Sequence, residues 1–249
     1  MTDYDGLVPS AWLAGCVEAH RLLGSVLAGA VTDDVAREPC ALPGWSVGHL
    51  LTHLARNADA HTWVVESAGR GQTVPMYPGG PDGRAADIEA GAGRPAHELL
   101  ADVAGSTARL EAAWAAASHE VWAAGLGVRA AGPATVSDFV FLRWREVEIH
   151  GRDLGPGAGD GTALAGAGDP WASLPAAYLD REWVELTTGL SARLPEGVTA
   201  VLVPGDRPSR AFGQGPDVVA VHGTAGRLVA WMADRWGDLA WPVLRPWSY

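Results

Sequence analysis

The chain has 249 residues, a formal net charge of −11 at pH 7 and a pI near 5.1. It is long enough for one large domain or two small ones, and its acidic balance argues against nucleic acid or an anionic membrane surface as the main partner. Because the chain contains no lysine, a bound anion would meet a planar guanidinium or a histidine.

The cysteines and the apolar runs indicate the compartment. Cys16 and Cys40 form neither a disulfide framework nor a zinc-ribbon spacing. The opening stretch MTDYDGLVPS lacks the basic and apolar regions of a signal peptide, and no apolar run is long enough to span a bilayer. We therefore predict a soluble cytoplasmic protein.

The first part of the chain predicts four helices. Ser46 is suited to cap the second of them, and Pro95 lies near the first turn of the third. The stretch GQTVPMYPGGPDG, between the second and third, is rich in proline and glycine and predicts a loop. The predicted helices cover about residues 10–28, 46–66, 94–117 and 137–154.

The second part of the chain has a different pattern. The stretch GPGAGDGTALAGAGDP has almost nothing to pack and predicts a linker. A helix over about 174–194 is followed by two valine-rich strands, VTAVLVP and DVVAVHG, and by a closing helix in TAGRLVAWMADRWG. The predicted fold class is α + α/β: a four-helix bundle (1–155), a linker (156–170) and a smaller mixed α/β domain (171–249).

The fourth helix has two polar stripes where a surface helix normally has one. At ~100° per residue, one stripe of RWREVEIHGRDLG holds Glu148 and Arg152 at the favourable i,i+4 spacing, which predicts that this stripe faces solvent. The other stripe is flanked by apolar residues on both sides, so we interpret it as facing inward, where charges must be paired or bound to metal. The first stripe contains Arg145, Glu148 and Arg152; the second contains Phe139, Arg143, Glu146, His150 and Asp153.

Glu146 and His150 are also four residues apart, so an oxygen and an imidazole nitrogen point towards one place. The plainer alternative is that Arg143 and Glu146 pair on a second solvated face. His53 lies at the edge of the apolar arc of the second helix, where a histidine is more often structural than a ligand. Together with Glu146 and His150, however, it completes a two-histidine, one-carboxylate set that suits zinc or another divalent ion with coordination positions left open. His49, one turn away, competes for the same role.

Three blocks of sequence extend this hypothesis. LPGWSVGHLLTHLARNADA, MYPGGPDGRAADIEAGAGRP and RWREVEIHGRDLG resemble the mycothiol-dependent maleylpyruvate isomerases, within the DinB-like metal-binding superfamily. The resemblance implies a DinB-like bundle in which His53, Glu146 and His150 bind a divalent metal, usually zinc. It also implies that Arg235, in the closing helix, is a catalytic residue. Family members often have a glycine where Asp234 stands and a second histidine where Gly151 stands.

The resemblance implies a reaction with two small molecules: a dicarboxylate substrate, maleylpyruvate, and a low-molecular-weight thiol, mycothiol. A thiolate adds to the cis double bond, the resulting single bond rotates, and elimination gives fumarylpyruvate. A free thiol has a pKa near ~8.5, and coordination to a divalent metal deprotonates it. Arg235 is the first candidate for binding the substrate carboxylates, followed by Arg143 and then Arg84, which on its own reads as an exposed residue at a helix start.

Other parts of this hypothesis stay open. Asn57 and Asp153 are candidates for orienting the ligand imidazoles, although each is also typical of a polar residue on a helix surface. A second enzyme class is a metal-dependent S-transferase that conjugates the thiol to an electrophile and retains the adduct. A third class is a non-catalytic metal-binding or ligand-sensing protein.

Overall fold

The computed structural model describes residues 7–155 and 169–246. The chain divides into two compact units, Met1–Gly166 and Ala167–Tyr249. The first is helical and the second is mixed α/β, so the predicted fold class, α + α/β, is confirmed. The predicted linker, 156–170, lies outside the described residues except for its last two positions. No helix of the described residues is both long and apolar enough to cross a membrane.

Four long helices form the bundle of the first unit. Helix α3 packs against α5 and α7, and α1 packs against the same two helices, which closes the bundle. These are the four predicted helices, each displaced by three residues or fewer at its ends. The helices of this unit are α1 (Ser10–Ala30), α2 (Asp33–Arg37), α3 (Val47–Gly69), α4 (Gly80–Ala92), α5 (Ala96–Ala116), α6 (His119–Ala124) and α7 (Val136–Arg152).

Capping boxes fix the starts of the two helices that contain the candidate metal ligands. Ser46 accepts the backbone N–H of His49 through its hydroxyl, and the His49 ring accepts the backbone N–H of Ser46. Thr135 and Asp138 form the same reciprocal pair at the start of α7. Each box satisfies N–H groups that a helix start leaves without partners, so it sets the residue at which the helix begins.

Several short elements of the first unit were not predicted from the sequence. Helix α4 begins inside the predicted loop and buries only Ile88 and Ala92, so it has almost no amphipathic pattern. A small sheet pairs β1 (Val74–Pro75) in parallel with β2 (Leu126–Arg129), and β2 pairs antiparallel with β3 (Gly132–Thr135). Strands of two to four residues are too short to show an alternating pattern.

The prediction that one polar stripe of α7 faces solvent is wrong. Glu148 and Arg152 do pair, with 2.7 Å between the Arg152 Nη1 and a Glu148 carboxylate oxygen, but both side chains are buried, as is Arg145. The indole N–H of Trp144 donates to the other Glu148 oxygen at 2.9 Å. The i,i+4 spacing predicted the partner correctly, but a satisfied pair needs no solvent and can therefore be buried.

The second unit has a three-stranded sheet in the order β5–β4–β6. Strand β4 is antiparallel to β5 and parallel to β6. The two valine-rich strands are confirmed, β5 was not predicted, and the helix predicted over 174–194 is interrupted at Gly189. The elements are α8 (Ala176–Thr188), α9 (Leu190–Arg193), β4 (Val198–Pro204), β5 (Arg210–Gly213), β6 (Asp217–Gly223) and α10 (Ala225–Met232).

Candidate metal centre

Three side chains from α3 and α7 converge inside the bundle. One ligand atom each from His53, Glu146 and His150 can be chosen so that all three atoms lie within 4.8 Å of one another. The His53 Nε2 is 2.8 Å from a Glu146 carboxylate oxygen, and the His150 Nε2 is 3.3 Å from the same oxygen. The structure therefore brings together the trio that the sequence analysis selected. The alternative partner of Glu146, Arg143, makes its hydrogen bonds elsewhere.

Asp153 contacts one of the imidazoles. One of its carboxylate oxygens lies 2.8 Å from the His150 Nδ1, and both side chains are largely buried. A carboxylate at Nδ1 holds a proton there, so Nε2 is the nitrogen that faces Glu146 and would become a metal ligand once its own proton is released. The orienting role of Asp153 stays a prediction.

The charges of the trio fit a divalent cation. Burial alone would raise the pKa of Glu146, but the His53 and His150 imidazoles hold it well below its usual range. Burial lowers the pKa of His53 to about 4. Burial would also lower the pKa of His150, but hydrogen bonds to Asp153 and Glu146 raise it to about 9. An ionised carboxylate beside two imidazoles is a donor set that suits zinc, and loading would release the proton of His150.

Arg84 lies at this centre, so its reading as an exposed residue is wrong. Its Nη2 is 3.0 Å from the His53 Nδ1, its guanidinium carbon is 5.6 Å from the centre of the Tyr77 ring, and its side chain is half-buried. A guanidinium only donates, so His53 accepts here at Nδ1 and has its own proton on Nε2. A metal bound at Nε2 requires the opposite tautomer, which would break this hydrogen bond and release the guanidinium.

Arg143 is fully buried among interior acceptors. It donates to the His20 Nε2 at 3.0 Å and to both the Leu54 carbonyl and the Asn57 Oδ1 at 2.9 Å. These contacts differ from the substrate-binding role that we predicted for Arg143. Asn57 also departs from its predicted role, because its amide bonds Arg143 and Tyr77 and contacts neither ligand imidazole.

The other histidines lie outside the trio. His49, the competitor of His53, bonds Ser46 through Nδ1 and lies 3.3 Å from Glu89 through Nε2. His20 is buried and lies 2.8 Å from a Glu111 oxygen. The sequence analysis did not select Tyr77, although it is part of the MYPGG block that contributes to the resemblance.

We expect the metal-free protein to lose stability as the pH falls from about 6.5 towards 4. Burial lowers the pKa of His20 to about 4 and that of His61 to about 3. An unfolded histidine titrates near ~6.5, so below that pH the unfolded chain binds more protons than the folded one, which costs up to about 1.4 kcal/mol per pH unit for each histidine. Urea unfolding at pH 7, 6 and 5 would measure this slope.

His61→Leu should make the slope shallower, because it removes one of the histidines whose pKa burial lowers. His97→Leu, at an exposed position of α5, is the control and should leave the slope unchanged. An equal slope in the wild type and in His61→Leu would contradict the assignment of acid sensitivity to His61.

We expect Asp153→Asn to weaken zinc binding about 10- to 100-fold, because the ligand imidazole of His150 loses the carboxylate that orients it. Competition with a chromophoric chelator would measure the affinity. Asp59→Asn, which changes a partly exposed carboxylate of α3 that pairs with Arg109, should bind zinc like the wild type. Equal affinities in all three proteins would show that Asp153 does not support the ligand.

Arg235 follows the closing helix instead of lying within it, because α10 ends at Met232. The side chain of Arg235 is half-buried, and its Nη1 donates to the Ala233 carbonyl at 3.0 Å. The catalytic role of Arg235 stays a prediction.

The departure at Asp234 has a local explanation. Asp234 has φ 58°, the left-handed conformation that follows many helices and that glycine adopts most easily. The Arg235 N–H donates to the Ala230 carbonyl at 2.8 Å, which closes the turn. Arg193 donates to both carboxylate oxygens of Asp234 at 3.0 Å. The aspartate thus occupies a glycine-type turn and gains an ion pair there.

A four-helix bundle with two histidines and a carboxylate converging in its interior defines a DinB-like protein with a candidate metal centre. The family model described as "Mycothiol maleylpyruvate isomerase N-terminal domain" matches residues 18–155. The match covers more than half of the chain, which therefore belongs to the mycothiol maleylpyruvate isomerase family.

Two solved structures are similar over nearly the whole chain. A crystal structure of mycothiol-dependent maleylpyruvate isomerase is 27% identical, covers 96% of this chain and 94% of its own, and has a TM-score of 0.79. A crystal structure of a histidine-to-alanine mutant of mycothiol-dependent maleylpyruvate isomerase is 26% identical, covers 94% and 92%, and has a TM-score of 0.78. A comparison with curated proteins gives no match. The resemblance found in the sequence is thus confirmed.

Proposed function

We propose that this protein is a metal- and mycothiol-dependent isomerase that converts maleylpyruvate, or a related cis-enoate, into the trans isomer. The observation that supports it best is the convergence of His53, Glu146 and His150 in a chain of this family. Three protein ligands leave a tetrahedral zinc ion with a position for an exogenous group, the arrangement of catalytic and not of structural sites. Zinc is the proposed metal.

The sulfur of the reaction comes from mycothiol in this proposal. A divalent metal at the trio supplies the means to hold a thiol as thiolate at neutral pH. The chain's own Cys16 is fully buried, and burial raises the pKa of its thiol, so it is unsuited to act as the nucleophile. Glu146 and the two imidazoles would hold the ion, while Asp153 keeps the proton of His150 on Nδ1.

Arginines bind the two carboxylates of the substrate in this proposal. Arg84 is supported by its contact with His53, since a guanidinium at the centre can grip a carboxylate through two hydrogen bonds. Arg235 is the second proposed cation and the proposed catalytic arginine, on the strength of the family resemblance. Arg235 directly follows Asp234, whose left-handed backbone conformation is accompanied by an ion pair with Arg193.

The experiment is a spectrophotometric assay of the zinc-loaded protein with maleylpyruvate, with and without mycothiol. Turnover that requires the thiol, with fumarylpyruvate as product, supports the isomerase. A stable thioether detected by mass spectrometry would instead identify an S-transferase, in which the adduct is retained. Consumption of neither reagent would leave a non-catalytic metal-binding or ligand-sensing protein.

A further inference from the structure

A chain of hydrogen bonds runs through the bundle from Glu111 to Tyr77, and its direction is fixed by residues that can only donate. Arg143 is fully buried and has no acceptor atom, so His20 must accept at Nε2 and the Asn57 Oδ1 must accept as well. His20 then has its proton on Nδ1 and donates it to Glu111 at 2.8 Å.

The same logic determines what Tyr77 does with its proton. With its oxygen bound to Arg143, Asn57 presents its NH₂ group to Tyr77, and the Asn57 Nδ2 is 3.4 Å from the phenol oxygen. Arg84 lies against the same side chain, with its guanidinium carbon 5.6 Å from the centre of the Tyr77 ring, and a guanidinium has no acceptor atom. The phenol therefore accepts from Asn57, and no acceptor for its own proton is found in the part of the chain that the structure describes. The Tyr77 O–H is left free to bind a ligand.

Tyr77 is next to the candidate metal centre. Arg84 contacts both Tyr77 and the His53 Nδ1, so one side chain separates the phenol from a proposed zinc ligand. Burial, and then the charge of Glu146, raises the pKa of Tyr77, which keeps the phenol protonated at neutral pH. A neutral donor held in a half-buried place, with its oxygen already accepting from Asn57, stabilises a negative oxygen that forms there.

We propose that Tyr77 is a further catalytic residue, whose phenolic O–H donates a hydrogen bond to the enolate oxygen that forms on the substrate when the thiolate adds. This inference rests on the proposed function. In the addition a carbon–sulfur bond forms, and the π pair of the cis double bond moves through the conjugated system onto the ketone oxygen. After rotation the pair returns, the carbon–sulfur bond breaks and the thiolate leaves. Tyr77 keeps its proton throughout, and no oxidant or reductant is needed.

Two substitutions test this assignment by different routes. Tyr77→Phe removes the donor. Asn57→Asp keeps the phenol but replaces the NH₂ group with a carboxylate oxygen, which can only accept. The new carboxylate still binds Arg143, and it also draws the Tyr77 O–H away from the substrate. In the zinc-loaded proteins we expect each variant to lower kcat about 100-fold, with KM within about threefold of the wild type.

The double variant, Tyr77→Phe with Asn57→Asp, should be no less active than Tyr77→Phe alone. Both substitutions remove the same hydrogen bond, the one from the Tyr77 O–H to the substrate. Tyr178→Phe, which removes the hydroxyl of a buried tyrosine in the second unit, is the matched control and should keep its kcat. Zinc content is measured in every variant and should stay at the wild-type level, since neither Tyr77 nor Asn57 contacts a ligand imidazole or Glu146.

Three results would overturn the assignment while the wild type shows thiol-dependent turnover. One is a kcat of Tyr77→Phe within threefold of the wild type. Another is full activity in Asn57→Asp, because the direction of the hydrogen bonds would then be irrelevant. The third is a loss of zinc that accounts for the loss of activity, which would make the role structural. A wild-type protein without thiol-dependent turnover would refute the proposed function itself, and the role of Tyr77 with it.

Discussion

Replacing His53 with alanine is expected to remove bound zinc and thiol-dependent turnover together. The imidazole is almost fully buried, and its Nε2 lies 2.8 Å from Glu146. Outer partners of metal ligands already contribute about 10- to 100-fold to metal affinity, so loss of a direct ligand should cost at least about 100-fold. Zinc per protein chain after dialysis, together with the rate with maleylpyruvate and mycothiol, measures both effects.

Glu146→Gln should also remove bound zinc and thiol-dependent turnover, although it changes only the charge of the side chain. The amide has nearly the same shape as the carboxylate, but it lacks the negative charge that makes Glu146 a ligand for a divalent cation. The two imidazoles would remain, and we expect them to hold zinc too weakly to survive dialysis. Circular dichroism before and after loading would establish that the variant is folded.

His49→Ala is the control for both substitutions. His49 lies on the same helix, one turn before His53, and bonds Ser46 and Glu89. Its loss breaks the reciprocal half of a capping box, which should lower the free energy of unfolding by about 1 kcal/mol. Zinc content and turnover should persist. Full activity in a metal-free His53→Ala protein would exclude activation of the thiol by a metal at this trio.

The spacing of residues along α7 was enough to predict that Glu146 and His150 lie together, whereas His53 stayed in competition with His49 until the family resemblance was considered. Glu146 and His150 stand four residues apart on one helix, so their side chains must share a face wherever that helix packs. Asp153, three residues beyond His150, is fixed to it by the same periodicity. The starts of α3 and α7 also depend on residues close in sequence, because the side chains of Ser46 and Thr135 cap these helices.

Arg84 and Tyr77 could not be placed from their spacing. They lie in a segment rich in proline and glycine, where α4 buries only two residues and so has no periodic pattern to read. Their positions depend on the packing of α4 against α3, which is a tertiary contact. The role of Asn57 was missed for a related reason, because its partner Arg143 comes from another helix.

The prediction that one stripe of α7 faces solvent is wrong because a helical wheel shows which residues share a face and not what covers that face. Glu148 and Arg152 satisfy each other, and Trp144 supplies a further donor. Once these hydrogen bonds are made, the cost of removing the charges from water is largely offset. Spacing therefore predicted the pair, and burial had to come from the fold.

Arg84→Gln is expected to lower kcat/KM about 100- to 1,000-fold, because removing one partner of a hydrogen-bonded charge pair costs about 2–5 kcal/mol. The proposed substrate has two carboxylates, and Arg84 contacts His53, a proposed ligand of the candidate centre. Glutamine keeps a single amide donor but loses the charge and the fork of N–H groups. Steady-state kinetics of the zinc-loaded protein over a range of maleylpyruvate concentrations measures the effect.

Arg84→Lys separates charge from geometry. Lysine restores the positive charge but not the planar, two-pronged donor, so we expect it to recover only part of the lost kcat/KM. Arg109→Gln is the matched control, because Arg109 is an exposed arginine of the same bundle that pairs with Asp59. It should leave both kinetic constants unchanged. If Arg84→Gln behaved like Arg109→Gln, the cation that binds the substrate would have to be sought elsewhere, with Arg235 as the next arginine to replace.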